Sequence, residues 1–162
     1  MAKKILSEHR SSPVLYTLLG ISCHSRDYNI SFHLNEKLEL GFTKMDDYRE
    51  FSFFFCRDDN DFNSYFLLGN RGQESVLFPE LKQTDYIFLV EGPLKKAQKD
   101  NLIKVIRSIQ SVLTAFEISF DTIKNYHAIL NDLELHFLKI TMESKIAYSP
   151  SKKQEVLSCS KI

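Results

Sequence analysis

Apolar residues in the first half of the chain recur at the spacing of strands. The run 14–21 is apolar on both alternating faces, which is typical of a strand buried on both sides. Residues 51–56 and 63–68 flank a loop of Asp and Asn residues, and this combination predicts a hairpin. Residues 86–91 follow a proline-containing turn and predict another strand buried on both faces.

Between these strand patterns, apolar residues recur at the spacing of helices. We expect a first helix that is capped by Asp27 and ends before Gly41, followed by a short strand at 42–45. The clearest helix covers about 94–110, where one apolar stripe lies among polar residues. A last helix is predicted with Asp121 as its cap.

Residues 112–118 form one more apolar strand pattern after the helix at 94–110. Strand, amphipathic helix and strand fit a crossover, which would be right-handed if the two strands were parallel neighbours. Together the patterns predict an α+β protein, with a mostly antiparallel sheet and helices packed against it.

The length indicates one domain, since 162 residues are enough for a single core. We assign that domain to residues 13–143. Residues 1–12 are predicted to be a flexible N-terminal arm. The Ser, Lys and Pro content after about residue 144 predicts a disordered tail over 144–162.

Composition narrows the classes of function. The 21 basic residues balance 21 acidic ones, whereas a general nucleic-acid binder normally carries a positive excess, so we expect no nucleic-acid partner. The basic N-terminus has no apolar stretch of signal-peptide length behind it, and no segment predicts a membrane span. Three widely spaced cysteines indicate unpaired thiols, a reducing compartment and a cytoplasmic protein.

The most specific motif is Phe78-Pro79-Glu80-x-x-x-Thr84-Asp85-Tyr86. It resembles the motif that names the IPExxxVDY family of small uncharacterised Bacteroidota proteins. Phe78 stands for the isoleucine of that motif and Thr84 for its valine. The order of neighbouring segments is also similar over about residues 14–125. The resemblance implies one compact domain and no particular activity.

The motif has two interpretations. As a structural latch, Pro79 would open a helical turn, Phe78 and Tyr86 would anchor it, and the acids would accept backbone amides. As a functional site, Glu80 and Asp85 with Tyr86 would bind a small ligand or perform acid/base chemistry. We favour the latch, because no nucleophile, base or phosphate-binding glycine loop accompanies the pair.

Potential metal ligands are present without the spacing that a metal requires. Asp59-x-Asp61-x-Asn63 begins like a calcium loop, but Ser64 replaces the required glycine and Asn70 the bidentate glutamate. Soft ligands are scattered over four positions: Cys23, His24, His33 and Cys56. We therefore predict no metal and no cofactor.

Charge is polarised along the chain although it balances overall. The helix at 94–110 carries a basic set, which is Lys95, Lys96, Lys99, Lys104 and Arg107. Such a face could bind RNA or an acidic partner, but a solvated helix surface is the simpler interpretation.

Phenylalanine is abundant, with 13 residues and no Trp, and it is concentrated in the hairpin. Phe51, Phe53 and Phe55 share one face of the strand, whereas Phe54 and Cys56 share the other. Either helices cover both faces within one chain, or one face is an interface. We favour an interface formed by Phe51, Phe53, Phe54 and Phe55 in a homodimer.

The leading hypothesis is therefore a cytoplasmic protein that acts as a non-enzymatic binding or scaffold module and self-associates, with a protein partner that the sequence does not identify. A small-ligand or enzymatic site around Glu80, Asp85 and Tyr86 is the alternative. RNA binding through the helix at 94–110 is a weaker one.

Overall fold

The computed structural model describes residues 15–159, and it describes side chains as far as residue 143. The predicted N-terminal arm at 1–12 lies outside this range. The elements follow one another as β1 (Tyr16–Cys23), α1 (Asp27–Leu38), β2 (Thr43–Tyr48), β3 (Phe51–Arg57), β4 (Ser64–Gly69), β5 (Tyr86–Glu91), α2 (Lys96–Arg107), β6 (Val112–Ile118) and α3 (Tyr126–Cys159).

The strands form one sheet in the order β2-β3-β4-β5-β1-β6, and every neighbouring pair is antiparallel. The predicted α+β class is thus confirmed. The hairpin is β3 paired with β4, with Phe54 opposite Leu67. Gly92, which has a φ of 132°, follows the end of β5 in the left-handed region that favours glycine.

The predicted crossover from β5 through α2 to β6 joins two strands that are not neighbours in the sheet. Because β1 is antiparallel to both β5 and β6, those two strands are parallel to each other, but β1 lies between them. The apolar pattern of residues 14–21 explains this position, since a strand that is apolar on both faces belongs in the interior of a covered sheet. Gly20 leaves room there, because a Cβ atom at this position would lie 2.9 Å from the Phe116 ring.

Helices cover both faces of the sheet. On one face, α1 and α2 contribute Ile30, Leu34 and Ile106 to a core that includes Phe88 of β5. On the other face, α3 packs Leu130, Leu133 and Ile140 against the sheet. The alternation of side chains along each strand therefore places neighbouring residues in two separate cores.

The phenylalanines of the hairpin lie inside the fold. Phe51, Phe53 and Phe54 are between 1% and 4% exposed, and Phe55 is half-buried beneath α3. β3 also has no open edge, because it pairs with both β2 and β4. The exposed aromatic face that suggested an interface of Phe51, Phe53, Phe54 and Phe55 is therefore absent, and the first alternative applies: helices of the same chain cover both faces.

Two predicted helix caps differ from the observed ones. Asp27 is the first residue of α1 rather than its cap, and its carboxylate accepts the Tyr28 amide. Asp121 lies in a short 3-10 turn, Phe120–Thr122, and α3 begins only at Tyr126. α3 extends into the range 144–162, whose side chains lie outside the described residues, and the disordered tail stays a prediction there.

Candidate functional site

The IPExxxVDY-like motif forms the connection into β5. Phe78 has an extended backbone and is 1% exposed, and Pro79 opens a short 3-10 turn that ends at Leu81. This geometry follows from the sequence, because proline suits the first position of a helical turn and forces the preceding residue to be extended. The motif then leads directly into Tyr86, the first residue of β5.

Asn70 holds this connection in place, although no pattern in the sequence singled it out. It is fully buried, and its side-chain amide donates to the carbonyls of Leu81 and Thr84 at 3.0 and 2.8 Å. Its Oδ1 accepts the Phe78 amide at 2.9 Å. One side chain thus satisfies three backbone groups of the turn, which supports the latch interpretation.

Asp85 accepts hydrogen bonds from outside the turn. Its Oδ2 accepts the Cys23 amide at 2.9 Å, and its Oδ1 accepts Arg71 Nε at 2.8 Å. The latch interpretation predicts that the acids accept backbone amides, and the amide that Asp85 accepts is at the end of β1. The carboxylate therefore links β1, the motif and the chain after β4.

Glu80 does not converge with Asp85. It is exposed, and its Oε1 accepts the Lys124 amide at 3.3 Å, ahead of α3. Tyr86 donates its hydroxyl to the Ser25 carbonyl at 2.7 Å, and burial is the main reason that its pKa is raised. The predicted ligand-binding set Glu80, Asp85 and Tyr86 is thus divided between two regions of the surface.

Asp85 and Tyr86 do line a polar cleft of about 550 Å³ at this end of the sheet. Its other charged or reactive residues are Cys23, His24, Arg26, Asp27, Asp47, Glu50 and Arg71. Most of these groups already have partners. Glu50, for example, accepts the Gln73 and Glu74 amides at 2.9 and 3.1 Å.

The Cys23 thiol is a poor nucleophile. Burial raises its pKa, and a contact with the Ser25 carbonyl only partly opposes that shift. Since the thiolate is the nucleophilic form, the raised pKa favours a structural role for this cysteine.

A second cavity lies at the opposite end of the sheet, between the strands and α3. We call it the aromatic groove. It has a volume of about 560 Å³. Its lining consists of Tyr16, Phe53, Phe55, Arg57, Ser64, Phe66, Leu89, Glu91, Leu130, Leu133, Glu134, Phe137 and Leu138. Phenylalanine rings make up much of the apolar part, and the ring centres of Phe55 and Phe137 are 4.5 Å apart.

A row of polar residues crosses four strands at the rim of the groove. In the sheet register Arg57 pairs with Ser64, Ser64 with Glu91, and Glu91 with Tyr16. Glu134 reaches the row from α3 and accepts the Tyr16 hydroxyl. The groove thus combines an aromatic interior with a polar rim that has two carboxylates and one guanidinium group.

Burial raises the pKa of Glu91, and the nearby Glu134 carboxylate raises it further, whereas Arg57 opposes the shift. Among the described residues, none forms a hydrogen bond or ion pair with the Glu91 carboxylate. Sequence reasoning missed this residue because Glu91 appeared only as the polar end of an apolar strand.

Several of the remaining candidates have structural partners. Asp61, in the calcium-like segment, accepts the Asn63 amide and the Tyr65 hydroxyl within the hairpin turn. On the basic helix, Lys99 pairs with Glu117 at 3.0 Å, and Arg107 donates to the Ala115 carbonyl. Within the described part of the chain, no three His, Cys, Asp or Glu side chains are grouped as a metal site would require.

None of the helices described is both long and apolar enough to cross a membrane. No protein-family model matches the chain, and no curated protein matches it either. The resemblance to the IPExxxVDY family therefore stays a prediction.

We predict that Asn70→Ala will lower the free energy of unfolding by about 3–5 kcal/mol, because it leaves three backbone groups of the turn without their partner. Asp85→Ala should cost about 1–3 kcal/mol through loss of the acceptor for the Cys23 amide. Urea denaturation measures both values. Asn60→Ala, in the exposed hairpin loop, is the matched control and should change stability by less than about 0.5 kcal/mol. A stable Asn70→Ala variant would contradict the latch.

We predict that Glu91→Gln will stabilise the fold at pH 7. A raised pKa in the folded state means that folding favours the protonated carboxyl, so wild-type stability falls as the pH rises from the ordinary value of 4.5 through the raised one. Glutamine removes this loss, and its advantage should narrow as the pH falls below about 4. Unfolding curves at several pH values test this, with the exposed Glu74→Gln as control. An advantage that is independent of pH would contradict the prediction.

Proposed function

We propose that the protein is a non-enzymatic binding module of the cytoplasm, and that the aromatic groove is its binding site. The observation that carries this proposal is the groove itself, a cavity of about 560 Å³ between the sheet and α3. Sites for small molecules commonly enclose about 300–1,000 Å³, and they combine an apolar lining with a few polar groups. The cytoplasmic assignment rests on Cys23 and Cys56, both of which are buried free thiols.

The hydrogen bonds at the motif end argue against acid/base catalysis by Asp85 and Tyr86. Both Asp85 oxygens and the Tyr86 hydroxyl are committed to hydrogen bonds that hold the fold. A catalytic acid or base must instead present a group that a substrate can reach. We therefore treat the polar cleft as the weaker candidate for a ligand site, and RNA binding by α2 as weaker still.

We predict that the uncharged probe N-phenyl-1-naphthylamine binds at one saturable site with a rise in fluorescence. Ser64→Trp should abolish the rise or weaken the affinity at least tenfold, because the indole fills the groove next to the Phe66 ring. Thr114→Trp places the same side chain at an exposed position of the edge strand β6 and serves as the control. Circular dichroism confirms that both variants are folded.

Two results would contradict the proposed site. The first is a folded wild-type protein that gives no saturable signal. The second is a signal that Ser64→Trp leaves unchanged, which would place the probe outside the groove.

Self-association remains part of the proposal, by a route that differs from the hairpin. α3 carries three large apolar side chains, Leu135, Leu138 and Met142, that are between 55% and 64% exposed, and Leu138 also lines the aromatic groove. Their spacing of three and four residues is that of helices that pair as a coiled coil. We propose a second copy as the occupant, because identical stripes on two copies of α3 match each other across a two-fold axis.

The edges of the sheet are less suited to joining two copies. β2 carries the charged residues Lys44, Asp46 and Asp47, and charges on an edge strand discourage edge pairing. At β6, Arg107 already occupies the Ala115 carbonyl at 2.8 Å. The helix stripe is thus the better candidate for a homodimer.

We predict a dimer by light scattering at tens of micromolar protein, and a folded monomer after Leu135→Glu. The charge would lie within the paired stripe and would have to be desolvated there. Glu143→Gln is a control on the exposed surface of the same helix and should leave the dimer intact. A wild-type monomer at this concentration would contradict self-association, and a dimer that Leu135→Glu leaves intact would contradict this interface.

A further inference from the structure

The rim of the aromatic groove has an electrostatic imbalance that bears on the chemistry of its ligand. Glu91 is half-buried, and its carboxylate has no partner among the described side chains. Glu134 is the second carboxylate of the rim, and it accepts a hydrogen bond from the neutral Tyr16 hydroxyl. The only basic residue of the lining is Arg57, which is exposed; it lowers the pKa of Glu91 through its charge but forms no ion pair within the described part of the chain.

A half-buried carboxylate without a partner is unfavourable, because burial removes water without supplying another donor. The raised pKa of Glu91 reflects the same cost. The fold could place a neutral residue at this position, yet a carboxylate lies at the edge of an aromatic cavity. A ligand that carries a positive charge would supply the missing partner.

The interior of the groove suits the same kind of ligand. The rings of Phe55, Phe66 and Phe137 are mutual neighbours, with ring centres between 4.5 and 5.4 Å apart. They offer apolar contact to a ring or short chain, and aromatic faces also attract an adjacent cation.

From this arrangement we infer that the groove binds a small organic cation, an ammonium group attached to an apolar body. The ammonium would lie between Glu91 and Glu134 at the rim, and the body would lie against Phe55, Phe66 and Phe137. This inference rests on the proposed function, since it specifies the ligand class of the same site.

Three probes of nearly equal size separate the charge of the head from the apolar body: 4-phenylbutylamine, 4-phenylbutanol and 4-phenylbutyrate. Each is titrated against the protein with bound N-phenyl-1-naphthylamine, and the displacing concentrations are compared. We expect the amine to displace the naphthylamine at a concentration at least ten times lower than the butyrate requires, with the alcohol between them.

The role of the carboxylates is tested in Glu91→Gln and in the double variant Glu91→Gln, Glu134→Gln. The displacing concentrations are corrected for each variant's own affinity for the naphthylamine. A change in naphthylamine binding therefore does not affect the comparison. The preference for amine over alcohol should shrink at least threefold in the single variant and disappear in the double one. Glu74→Gln, an exposed carboxylate outside the groove, should retain it.

The outcomes distinguish this inference from the proposed function. Naphthylamine binding with equal displacement by all three probes, or with the butyrate strongest, would overturn the cation inference and leave the groove as a binding site. A preference for the amine that survives in the double variant would also overturn it. Absence of naphthylamine binding in the wild type would overturn both.

Discussion

The need to cover a sheet that is apolar on both faces organises this structure. Interior strands such as β4 and β5 carry large apolar side chains on alternating sides, so each face must be removed from water. Two helices, α1 and α2, cover one face. A single helix, α3, crosses the other, and the aromatic groove lies between its side and the ends of four strands. The candidate site is thus a consequence of uneven coverage.

The two ends of the sheet differ in chemistry for a related reason. At the motif end, the side chains of Asn70 and Asp85 form hydrogen bonds with backbone groups, and these bonds hold the connecting loops against the strands. At the groove end, Glu91 has no such partner among the described residues. Polar groups therefore hold the fold together at one end, whereas at the other end we expect Glu91 to reduce stability at neutral pH.

Much of the fold could be predicted from local patterns. The limits of β5 and β6 follow directly from apolar runs bounded by turn residues, and the hairpin of β3 and β4 follows from two such runs around an acidic loop. The insertion of β1 between β5 and β6 could not be predicted, because strand order depends on pairing between segments far apart in sequence. The burial of Phe54 depended likewise on α1 and α2, whose positions no local pattern specifies.

The candidate site was less predictable than the fold. The proline and acids of the motif are conspicuous in the sequence. The residue that holds the motif in place is Asn70, however, which has the sequence context of an ordinary turn residue after a strand. The groove is assembled from the ends of four strands and one helix, and only the sheet register aligns Arg57, Ser64 and Glu91. Chemical-shift mapping on labelled protein with 4-phenylbutylamine tests most directly whether the groove is the binding site. We expect the chemical shifts of Ser64, Glu91 and residues 133–138 to change. Perturbations confined to Cys23, Arg71 and Asp85 would contradict it.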